Sequence, residues 1–105
     1  MAIMESNITT PAAFEYETVA VSQTGQVLGT TGAAGDRIER LIISVATAAT
    51  GTVALIDGST SIPITAANTA IGVYTVDLGI YSQTGAWSVT TGAGATVIAV
   101  GRFTD

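Results

Sequence analysis

Arg37-Ile38-Glu39-Arg40-Leu41-Ile42-Ile43-Ser44-Val45-Ala46 is the stretch whose reading decides the fold. Leu41, Ile42, Ile43 and Val45 make its centre apolar on both sides, the pattern of a β-strand covered on both faces. Leu41, Ile43 and Val45 share one side at the two-residue period of a strand and are expected to fill one face of a core.

Outward from this strand, the chain repeats the same grammar in shorter pieces. Toward the N-terminus, Phe14 and Tyr16 alternate with Glu15 and Glu17 before Val19 and Val21. Ser22-Gln23-Thr24-Gly25 reads as a turn, Gln26-Val27-Leu28 as a short return, and Gly29 to Asp36 as a long, flexible loop. Toward the C-terminus, a small-residue loop (47–51) leads into Val53-Ala54-Leu55-Ile56. Asp57-Gly58 then supplies a turn, because this pair suits positive φ. Ile62-Pro63-Ile64 is restricted to a sheet edge, since Pro63 has no N–H to donate. Gly72 to Leu78 alternates, with Val73, Thr75 and Asp77 opposite Tyr74, Val76 and Leu78. Gly79 to Gly85 reads as a second turn that reuses Ser-Gln-Thr-Gly, expected to be the same turn chemistry. Ala86 to Thr90 follows with Trp87 and Val89 inward, and Ala95 to Phe103 is again apolar on both sides. Residues 65–71 allow one helical turn at most, given β-branched Thr and an Asn. Seven or eight short antiparallel strands at even spacing predict an all-β, single-domain sandwich or jelly roll over 14–105. Residues 1–13, interrupted by Pro11, read as an N-terminal arm.

Composition narrows the chemistry. The chain has no His, no Cys and no Lys, only three arginines and eight acids, and a formal net charge of −5. Arg37, Arg40 and Arg102 are too few for a phosphate-neutralising surface, so no nucleic acid is expected as partner. An anionic membrane is disfavoured on the same ground, and no run approaches the ~20 apolar residues of a span. The first residues lack a basic region and an apolar run, so synthesis in the cytosol is expected. The Ser and Thr hydroxyls have no His or Lys to activate them, which argues against nucleophilic catalysis. The expectation is no enzyme, no catalytic residues and no cofactor. Charged residues make up 10% of the chain and hydrophobic ones 48%. Typical domains carry ~25% charged residues, so a solitary protomer would show water much Ala, Val and Ile. Another chain is therefore expected to cover some outward positions.

Individual motifs are weak. The glycines at 29, 32 and 35 resemble a phosphate cradle only superficially, because Asp36 and a strand follow where a P-loop has Lys and a helix. Asp36, Asp57 and Asp77 at strand ends raise the question of calcium, but isolated Asp residues more often close turns, and no metal ligands are assigned. Glu15 and Glu17 form the one close carboxylate pair and read as a solvated edge rather than a glycosidase pair. Of Trp87, Tyr74 and Tyr81, the first two alternate as core residues, leaving Tyr81 exposed beside a turn. Asn7-Ile8-Thr9 fits a glycosylation sequon, without a secretory signal to give it meaning.

Several stretches together resemble a family of small tailed-bacteriophage proteins that attach to the capsid, the decoration or cement proteins. They are Gly35-Asp36-Arg37-Ile38-Glu39-Arg40-Leu41-Ile42-Ile43, Ile56-Asp57-Gly58-Ser59, Asp77-Leu78-Gly79-Ile80-Tyr81-Ser82, Gly85-Ala86-Trp87-Ser88-Val89-Thr90-Thr91-Gly92-Ala93 and Val97-Ile98-Ala99-Val100-Gly101-Arg102-Phe103. The likeness runs from 35 to 103, about two thirds of the chain. It implies a β-sandwich or jelly roll, a trimer, and a place on the outside of the virion head with the major capsid protein as partner. It brings no catalytic residues. On this reading Ile98 and Val100 supply apolar outer surface to a contact between subunits, and Ile3, Met4 and Ile8 in the arm are a capsid contact. The alternatives are a carbohydrate-binding or adhesin module using Tyr81 and nearby loops, and a head–tail or tail structural component.

Overall fold

The structure, a computed structural model, describes residues 14–105. The N-terminal arm, with Ile3, Met4 and Ile8, lies outside the described residues. Eight strands follow one another: β1 (Glu15–Val19), β2 (Gln26–Val27), β3 (Arg37–Val45), β4 (Val53–Asp57), β5 (Thr60–Thr65), β6 (Gly72–Tyr81), β7 (Trp87–Thr90) and β8 (Ala95–Arg102). No helix occurs among the described residues, hence none that is long and apolar enough to cross a membrane.

All pairings are antiparallel. β1 pairs with β8, β2 with β7, β3 with β6 and β4 with β5, as in one long hairpin whose tip is the Asp57-Gly58 turn. That hairpin is rolled so that alternate pairs fall in alternate sheets, and β3–β8 and β4–β7 pairings join them. The result is two four-stranded sheets, ordered β1-β8-β3-β6 and β2-β7-β4-β5. This strand order is that of a jelly roll. The tip needs its glycine: Gly58 has φ +59, a region that side chains with a Cβ seldom adopt.

The core lies between the sheets. Ile38, Leu41, Ile43 and Val45 of β3 and Val97 and Ala99 of β8 face Val53, Leu55, Trp87 and Val89 across the layer, all buried. Leu28 and Phe103 plug the end near Trp87, whose indole Nε1 donates to the Asp36 carbonyl at 2.8 Å. The expected core face of β3 and the inward Trp87 and Val89 are thus as read from the sequence.

Other readings change. The strand expected to stop at Leu78 runs on to Tyr81. Gly79, at φ +64, lies where the register between β3 and β6 shifts around Glu39, so a bulge accommodates what looked like a turn. The two Ser-Gln-Thr-Gly segments are different turns. In the first, Gln23 and Gly25 N–H groups donate to the Thr91 and Thr90 hydroxyls; in the second, Gln83, Thr84 and Gly85 N–H groups converge on the Asp57 carboxylate. Loop 29–36 is fastened rather than loose. Gly32 N–H donates to the Thr104 carbonyl, Gly35 N–H to Ser82, and Thr104 donates through both N–H and Oγ1 to Asp36.

Candidate interaction surface

A two-layer sandwich covers each sheet on one face only. β3, read as covered on both sides, and β8, read as apolar on both, are therefore left uncovered on the second face by the described residues. The alternating burial along β8 leaves Thr96, Ile98, Val100 and Arg102 facing outward. Register extends this row across the sheet. Tyr16 lies beside Val100 and Thr18 beside Ile98 on β1; Ile42 flanks Ile98 on β3; Thr75 and Val73 on β6 lie beside Ile42 and Ser44.

The middle of this face is an open apolar groove of about 320 Å³ lined by Phe14, Glu15, Tyr16, Ile42, Ile98 and Val100. Ile98 and Val100 are half-buried by their own sheet neighbours, whereas Tyr16 and Val73 are each 69% exposed. The groove arises from two local causes. β-branched Ile and Val at alternate positions suit the pleat, and the aromatics of β1 stand beside them as cross-strand neighbours. Sequence reasoning selected Ile98 and Val100 but not Ile42, Tyr16 or Phe14 as their companions. The signal for these was present in the alternation of Phe14 and Tyr16, but only the β1–β8 register brings them to Val100.

All three arginines rise from the same face at one end. Arg37 and Arg102 are cross-strand neighbours, and Arg40 lies beside Val100. Arg37 bonds Glu39 at 3.0 Å and lies over the Tyr81 ring at 5.2 Å. Its bond to Glu39, then its approach to Tyr81, hold the guanidinium in its charged form, above its ordinary pKa. Arg40 meets Asp77 at 3.6 Å on the exposed surface. Arg102 has no ion pair among the described residues. Beside them lies a second open cleft of about 400 Å³, bordered by Glu15, Asp36, Arg37, Tyr81, Arg102 and Thr104. Tyr81 is exposed there, as expected.

The carboxylates do not converge. Asp36 and Asp57 are taken up by their own chain's donors and Asp77 faces Arg40, and among the described residues no three metal-ligating side chains come together. Glu17 is not a solvated edge: half-buried, it accepts Gly29 N–H at 2.8 Å and Gln26 Nε2 at 2.9 Å. It ties β1 to β2 and to the loop that follows β2. Asp57 is the hub of the Gln83–Gly85 turn. Partial desolvation pushes its pKa up, but the N–H groups of Thr84, Gln83 and Gly85 and the Thr84 hydroxyl outweigh it, and the carboxyl lies below its ordinary value.

The other sheet presents a different outer face. Val27, Ala54, Ile56, Ser61, Pro63, Ser88 and Thr90 share it by register and carry no charge. Most are small or hydroxylated. The four loops at the end away from the arginines, 20–25, 46–52, 66–71 and 91–94, are also uncharged. They are laced together by Ser22 N–H to Gly92 O, Gly51 N–H to Ala93 O and Asn68 N–H to Thr50 O.

Comparison of the chain with protein-family models, curated proteins and solved structures finds no match in any of the three.

Proposed function

We propose that the chain is a structural virion protein, a decoration protein that binds the outside of a tailed-phage head and stabilises it as an oligomer, with the trimer as the expected state. One observation carries this reading: the outer face of β1-β8-β3-β6 holds an apolar groove that no layer of the described chain covers. A groove with Tyr, Phe, Ile and Val at its centre and Arg at its margin has the make-up of a protein contact, where aromatics and Arg concentrate. Ile98 and Val100 form the subunit contact on this reading, and the major capsid protein is the partner of the assembled oligomer. The resemblance over 35–103 and the lack of His, Cys and Lys support the same view. A lattice of identical sites makes weak individual contacts sufficient, because each copy already tethered raises the effective concentration of the next.

The direct test adds purified protein to undecorated heads and counts bound copies by cryo-electron microscopy. Symmetric occupancy and greater resistance of the heads to heating are expected; heads left bare at saturating protein would overturn the reading. The adhesin alternative draws on one feature, exposed Tyr81 beside the polar cleft. A glycan array decides between them, since a decoration protein leaves it blank.

A further inference from the structure

A sandwich has four sheet edges, and three of these are blunted. β2 is two residues long. β5 carries Pro63 and a register shift opposite Val53–Ala54. β1 is five residues long, and its Thr18 carbonyl accepts the Gln26 side chain as the chain crosses to the other sheet. The fourth edge, β6, is different. It is ten residues long and the longest strand of the fold. It has no Pro, Lys or Arg, and its one charge, Asp77, is turned to Arg40 on the inner neighbour β3. Among the described residues no side chain caps a β6 backbone group, and its only sheet neighbour is β3. Ile71 and Val73, at 63% and 69% exposure, extend apolar surface along it. Natural sheets guard long edges with charge, Pro, bulges or cover. Here the bulge at Gly79 guards the last few residues, and nothing among the described residues covers Gly72–Leu78.

We propose that Gly72–Leu78 is a seam at which β6 of a second copy adds antiparallel, about a two-fold axis through Thr75. The partner is another β6 because β1, the other edge of this sheet, is short and capped, so head-to-tail addition has no receiving strand of equal length. Thr75 is the midpoint of that stretch, so this register uses all of it. It sets Val73 opposite Asp77 of the second copy and keeps the two Asp77 carboxylates apart. Centring on Asp77 would place like charges face to face, which destabilises a cross-strand pair. The seam is separate from the groove around Val100 and does not depend on what the groove binds. With a second contact on the face, the seam would join oligomers that either contact alone leaves separate.

The native chain has no cysteine, so Thr75→Cys reports directly. Opposed Cβ atoms in an antiparallel pair lie about 4.5–5.5 Å apart and a disulfide spans about 3.5–4.5 Å, so a small local adjustment closes the bond. Mild oxidation of the full chain is expected to link Thr75→Cys into covalent dimers, and Ser88→Cys, mid-sheet on the other face, to stay single. The linkage is expected to persist when Val100→Asp is added, because the groove takes no part in it. A link lost in that double variant belongs to the face and overturns the seam, as does no link in either background. Thr75→Lys, the guard that nature places on edges, is expected to weaken seam dimers about tenfold or more in sedimentation, a change of the order that one charged side chain at an interface brings. Should that variant unfold, a photo-crosslinking phenylalanine analogue in place of Thr75 serves instead. Adducts with 72–78 of a second copy support the seam, and adducts with residues 1–13 overturn it.

Discussion

The two outer faces of this sandwich have equal claims on the fold and unequal chemistry. That of β1-β8-β3-β6 carries Phe14, Tyr16, Ile42, Ile98, Val100 and Val73, with all three arginines at one end. That of β2-β7-β4-β5 carries Ser61, Ser88, Thr90, Ala54 and Pro63, with Val27 and Ile56 the larger apolar residues. Closing the jelly roll requires only that the inner faces be apolar. Ser and Thr would have served on both outer sides, so closure of the fold does not require the aromatic and branched residues on one of them; on the function proposed above they serve a contact outside the protomer. On that reading, the difference marks the adhesive side without any catalytic group or ligand to point to it.

Breaking what the faces share has the largest effect. Trp87→Ala empties a buried site common to both sheets and removes the bond to Asp36, and a stability loss of about 3–5 kcal/mol is expected in urea titrations. Sharpening the contrast comes next. Val100→Asp is expected to leave each protomer folded, within about 1 kcal/mol of wild type, while association weakens about tenfold or more by light scattering. Ile56→Asp, the mirror change on the other face, is expected to leave the mass unaltered. An oligomer that survives Val100→Asp and dissolves with Ile56→Asp would exchange the roles of the faces.

Smaller effects test the turns and margins. Asp57 has a folded pKa below its ordinary value, so its stabilising contribution is present above the unfolded carboxylate pKa and is lost as pH falls through the folded one. Thermal melts between pH 7 and pH 2 are expected to show this acid-side decline, with a shallower slope in Asp57→Asn. That variant also costs about 1 kcal/mol at neutral pH, since an amide oxygen accepts the same three N–H groups less strongly. Arg40→Ala, which removes an exposed pair to Asp77, is expected to change stability by less than about 0.5 kcal/mol. A larger loss would mean that Arg40 is engaged by another chain.

Much of the fold was legible because a strand declares itself locally. Two-residue alternation in 73–78, Pro63 as an edge marker and Asp57-Gly58 as a tight turn were each read correctly from a few residues. The errors lie where local grammar is ambiguous. Gly79 is a punctuating residue by type, yet it sits inside β6 because the bulge at Glu39 on β3 matches it. Glu17 alternates as a solvent residue would, yet its partners are Gln26 and Gly29, which reach it only because β1 hands over to β2 across the sandwich. Ser-Gln-Thr-Gly forms two different turns because Thr90 and Thr91 meet the first and Asp57 the second.

The amino-acid order alone determined that this is an all-β chain without His, Cys or Lys, poor in charge and rich in apolar residues. These are properties of residue type and short period, which survive without any long-range contact. Only the tertiary structure decided which side of the molecule gathers the apolar outward residues. Phe14, Ile42, Val73 and Val100 are scattered over most of the sequence, and it is the rolling of one long hairpin, pairing β1 with β8 and β3 with β6, that gathers them on a single face.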